Sequence, residues 1–99
     1  MTAKQAKLHG RPRLNRLREE HEAAAKAMCD AVAEEYPVGT VVDARIHHHM
    51  VRGEVVGHNT AWWYEPGAMT IRNLKTNKTR RFNPTYQNAE VEIVSKPSN

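Results

Sequence analysis

The chain has 99 residues, 39% of them hydrophobic and 26% charged, with a formal net charge of +4. That suffices for one small core and is too little for a second. No apolar run approaches the roughly 18–20 residues of a membrane-spanning helix, so no membrane partner is expected.

Residues 1–18 hold six basic groups, Arg11 and Arg13 among them, and no acid. They contain no apolar stretch of the kind a secretory leader needs, and the single Cys29 cannot close an internal disulfide. A cytoplasmic protein is therefore expected. Gly10 and Pro12 punctuate the start, and residues 1–12 read as a basic flexible arm. Residues 13–36 lack Gly and Pro and are rich in Ala, Glu, Arg and Leu, which predicts a helix ended by Pro37 and Gly39. Along it Leu14, Leu17, His21, Ala24, Met28 and Ala31 repeat at alternating spacings of three and four, an a/d heptad seam. Val32 and Tyr36 lie beside that seam and widen it toward a globular amphipathic face. The expectation is a helix docked on its own domain, with a helix-mediated homodimer through residues 13–36 as the alternative.

From Pro37 onward, short β-branched runs alternate with turn residues. Strands are predicted over 40–47, 51–58, 61–64, 69–74, 79–82 and 90–95, with 96–99 as a frayed tail. Alternation turns Val42, Ala44, Ile46, Val55, Met69, Ile71, Phe82, Val91 and Ile93 inward. Three consecutive histidines, His47, His48 and His49, fall between the first two strands and read as a polar loop. Only His47 and His49 would share a face, no acid or cysteine stands at a spacing that completes the three or four ligands a metal site needs, and neither a metal nor a cofactor is expected.

The run "VGTVVDARI", "VRGEVVGHN", "GAMTIRNLKTNKTRRF", then a Pro-containing turn and "VEIV", resembles an SH3-like small β-barrel of the KOW or Tudor type over residues 37–95. The resemblance implies a five- to six-stranded antiparallel β-barrel over those residues, and with the helix read at 13–36 the expected fold is α+β, an N-terminal α-helix followed by that barrel. It also implies a non-enzymatic binding module for nucleic acid, ribosomal or polymerase surfaces, or peptides. It carries no site residues of its own.

The residues themselves nominate a surface. Trp62 and Trp63 stand side by side, and an exposed Trp is a stacking platform for a base or an anchor for a protein. Arg72, Lys75, Lys78, Arg80 and Arg81 form a basic hairpin that can follow a phosphate backbone, assisted by Arg11 and Arg13. Alternatively the hairpin only keeps an edge strand soluble. Residues 19–43 hold seven acids against Lys26 alone. Their acidic helix face (Glu19, Glu22, Asp30, Glu34), with either Trp, suits a protein partner instead. On that alternative the chain is an inhibitor or adaptor, phage-like or from a mobile element, docking on a host complex. A third reading is a homodimeric assembly component. No Gly-rich phosphate loop or nucleophile motif appears, so an enzyme is not expected.

Overall fold

The computed structural model describes residues 12–97. The basic arm, including Arg11, and the last two residues of the expected tail lie outside the described residues. Helix α1 runs from Pro12 to Glu35. Proline suits the first helical turn because its missing N–H has no intrahelical partner to lose. At the other end the Tyr36 amide donates to the Val32 carbonyl at 2.8 Å, and Pro37 stops the ladder.

Five antiparallel strands follow: β1 (Val41–Ile46), β2 (His49–His58), β3 (Met69–Asn73), β4 (Thr79–Phe82) and β5 (Val91–Ser95). They form one sheet in the order β4-β3-β2-β1-β5. The first four make a meander, and residues 83–90 carry the chain back across to place β5 beside β1. The α+β class, a helix and then antiparallel strands, is as expected. The closed barrel is not: among the described residues no ladder joins β4 to β5, and both remain edges.

The inner face of the sheet follows the alternation. Val42, Ala44, Val55, Met69, Ile71 and Phe82 are buried, with Ile46, Val91 and Ile93 partly buried against them. The register explains this coherence. Val42 pairs with Ile93, Ala44 with Val51, Val55 with Ile71, and Met69 with Phe82, so inward side chains meet across every strand pair. A bulge between Val55 and Gly57 shifts the β2–β3 register, leaving Val56 exposed and His58 opposite Met69.

The helix caps this layer with a different face from the expected seam. Ala25 and Val32 are buried, and Glu22, Cys29 and Ala33 are half-buried. The seam residues Leu14, Leu17, His21, Ala24, Met28 and Ala31 are all exposed. The buried line is the seam shifted by one residue, a rotation of about 100°. Val32 joins the core cluster on the inner face of the sheet, and Tyr36 just past the helix packs against it.

Two further expectations are corrected. Residues 61–64 form turns, so Trp62 and Trp63 do not alternate across a sheet. His47 and His48 form a two-residue hairpin loop, both with positive φ (50° and 71°), and His49 opens β2 opposite Ile46. This is the mirror-image turn geometry that matches strand twist, normally taken by Asn-Gly. Lys96 Nζ donates to the Glu35 carbonyl at the end of α1.

Candidate functional site

The aromatic loop is built around Asn59. Its Oδ1 accepts the Ala61 amide at 3.0 Å, and its two Nδ2 hydrogens are shared among the carbonyls of Ala61 at 3.2 Å, Glu65 at 2.9 Å and Tyr64. A side chain that supplies four backbone partners replaces the ladder a strand would need, which is why this apolar run is a loop. Asn83 does the same for the neighbouring turn. Its Nδ2 donates to the Pro66 carbonyl at 3.1 Å, and its Oδ1 accepts the Thr85 amide at 2.9 Å and the Thr85 hydroxyl.

The loop displays three aromatic rings with different surroundings. Trp62 is half-buried, with the Lys26 ammonium of α1 over its ring at 5.4 Å. Trp63 meets Trp62 edge-on at 5.6 Å and is 71% exposed. Tyr64 is exposed, with the Arg81 guanidinium 5.4 Å from its ring centre. The same guanidinium reaches Glu65 Oε2 at 3.3 Å. Trp62 therefore packs toward the helix, and Trp63 is the free platform.

The basic hairpin divides into engaged and free cations. Arg72 is held by Glu54 on the adjacent strand and by Asn77 Oδ1 at 2.7 Å. Arg81 is held by Glu65 and Tyr64. Lys75, Lys78 and Arg80 are exposed and have no acidic partner among the described residues. The turn that carries the lysines is ordered by Asn73, whose Oδ1 accepts the amides of Lys75 and Thr76 at 2.8 and 3.3 Å, and by Asn77 at φ 62°. Arg80 lies opposite buried Ile71 on edge strand β4.

Elsewhere the outer face is neutralised. Arg52 donates from Nε and Nη2 to the two Asp43 oxygens at 2.8 and 2.9 Å. Those hydrogen bonds, with the nearby positive charge, hold the Asp43 carboxyl below its ordinary range and push Arg52 up. Arg45 pairs with Glu90. Burial, with Glu35 close by, pushes the Tyr36 phenol up. Arg13 is exposed near the start of α1, as are Glu19, Asp30 and Glu34 along it, while Glu22 pairs with Lys26 at 3.2 Å.

Two grooves flank α1. One lies between the helix and the aromatic loop, lined by Lys26, Cys29, Asp30, His58 and Trp62. His58 is fixed there, its Nε2 2.6 Å from the Tyr36 carbonyl. The other, of about 290 Å³, lies on the opposite side of the helix, lined by Met28, Ala31, Val32, Tyr36, Pro84 and Thr85. Among the described residues no three of His, Cys, Asp and Glu gather as a metal-holding group. No helix there is long and apolar enough to cross a membrane.

Asn59 and Asn83 were missed by the sequence reading. The available signal was an Asn close before an aromatic run ending in Glu-Pro-Gly, an arrangement that favours side-chain-organised turns. No protein-family model, curated protein or solved structure matches the chain.

Proposed function

We propose that this protein is a non-enzymatic nucleic-acid-binding module built on an SH3-like sheet of the KOW or Tudor type. One observation carries the reading. Lys75 and Lys78 in the β3–β4 turn and Arg80 on edge strand β4 are uncompensated cations, and the next residue of that strand, Arg81, stacks on Tyr64 beside exposed Trp63. From Lys78 to Arg81 the strand advances about 10 Å at roughly 3.3 Å per residue, the reach of a few backbone phosphates. Trp63 then offers its face to one base. The phosphate contacts carry little sequence information, so binding is salt-sensitive and weakly selective. The small-barrel resemblance supports the same class of target, and Arg11 and Arg13 near the start of the chain add positive charge to it.

The two components separate by mutation. Replacing Lys75, Lys78 and Arg80 together by Ala lowers the slope of log K against log salt by about 2, at roughly 0.7–0.9 per phosphate contact. Trp63→Ala weakens single-strand binding by about 1–3 kcal/mol and leaves the salt slope in place. A slope that the triple variant does not change removes the edge from the interface. Capture of a protein from nuclease-treated lysate through Trp63, without oligonucleotide binding, replaces this reading with the adaptor alternative.

A further inference from the structure

We infer that α1 pairs with α1 of a second copy of this chain as an antiparallel dimer in one register. The helix carries two apolar lines, and the sheet uses only one. Ala25 and Val32 are buried on it, whereas the a/d seam faces solvent, with Leu14 55%, Leu17 50% and Met28 37% exposed. Every residue from Pro12 to His21 except Asn15 is exposed, so the first half of the helix lies clear of the protein's own core.

Three features select a second copy and the antiparallel sense. First, the seam is self-complementary when reversed. Leu14 falls opposite Ala31, Leu17 opposite Met28, and His21 opposite Ala24, each an a position against a d position, and all satisfied by one two-fold axis between Glu22 and Ala23. Large side chains meet small or flexible ones in each layer. Second, charge runs along the helix. Its described start carries Arg13, Arg16 and Arg18, while its end carries Asp30, Glu34 and Glu35. Antiparallel pairing lays basic ends on acidic ends and brings Arg13 beside Glu34 of the second copy, twice per dimer. Parallel pairing would stack like on like. Third, a groove of about 290 Å³ beside the seam, walled by Met28, Ala31, Val32, Glu35, Tyr36 and Pro84, borders Ala31 and Met28, the positions that this register sets against the second copy's Leu14 and Leu17. A short heptad seam is marginal alone, and this groove widens the apolar contact beyond the two helices.

The test uses the nuclease-treated full-length chain, so nucleic acid cannot bridge two copies. Sedimentation at about 100 µM should give twice the 11.3 kDa chain mass, dissociating on dilution. A monomer at that concentration overturns the inference. Leu17→Glu should weaken the dimer by more than about 100-fold while leaving helicity and thermal unfolding of the monomer unchanged. Unchanged dimerisation refutes the seam. Arg13→Glu or Glu34→Arg alone should each weaken it about tenfold, and the double exchange should restore it. For register, Leu17→Cys and Met28→Cys are made separately in a Cys29→Ala background. Mixing the two proteins under oxidation should give a covalent heterodimer, and neither alone should cross-link. Self-linking of the Leu17→Cys protein means a parallel pair and overturns the antiparallel register.

Discussion

Gly53 sits on the inner face of β2, between Val42 of β1 and Asn73 of β3. It is the position where adding one carbon tests the packing most sharply. A Cβ there would overlap Ile71 Cγ2 and lie 2.9 Å from the Arg72 carbonyl oxygen. Neither neighbour can yield easily. Ile71 is 1% exposed within the core, and the Arg72 carbonyl belongs to the β3 backbone. Overpacking of this kind costs about 1–3 kcal/mol, and more when backbone must move. Restricting the unfolded chain returns about 0.4–1 kcal/mol. Gly53→Ala should therefore destabilise by about 1–2.5 kcal/mol net, lowering Tm by roughly 5–15 °C for a domain this small. Urea unfolding followed by Trp fluorescence gives the value directly. Gly53→Ala combined with Ile71→Ala should cost about 1 kcal/mol less than the sum of the single changes, because the truncation removes half of the clash. A Tm within about 2 °C of the parent for Gly53→Ala would refute the close approach of β2 to β3.

Three other outcomes are expected. Replacing His47 by Asn and His48 by Gly should stabilise the protein by about 1 kcal/mol, since both positions have positive φ; a loss of stability in urea would show that the histidines have another structural role. Asn59→Ala should cost about 1–3 kcal/mol and red-shift Trp emission as the loop loses its hub; unaltered emission and stability would mean that the loop is held by its rings alone. The Asp43 carboxyl titrates below its ordinary 3.8 in the folded protein, so its contribution is complete above that value and fades as pH falls through the lower folded one. Asp43→Asn should flatten that part of the acid limb in a Tm-against-pH series, and an identical limb would show that the Arg52 pair contributes nothing.

Much of the core was legible because strand alternation is a two-residue code, and Val42, Val55, Ile71 and Phe82 needed only the right register. The helix was legible as an element, from 12 or 13 to 35 or 36, and Val32 and Tyr36 were legible as part of its docking face, but the rest of that face was not. Ala25 looks unremarkable in sequence beside Leu14, Leu17 and Met28, yet it is buried and they are exposed. The loop at 61–64 was misread as a strand because aromatic runs favour strands. The deciding interactions come from one Asn side chain two to six residues away. In the basic hairpin the sequence marked five cations as equivalent. Cross-strand neighbours separate them, since Glu54 is opposite Arg72 by register, and Glu65 reaches Arg81 from a loop whose course was unforeseen.

The central claim is that a free basic edge and an exposed Trp63 receive nucleic acid. The most direct measurement is a fluorescence-anisotropy titration of labelled single- and double-stranded oligonucleotides at low and moderate salt. The account predicts submicromolar binding at low salt that weakens by at least about tenfold when salt is raised fourfold, as two or more phosphate contacts require. No binding at low salt, or binding indifferent to salt, would contradict it.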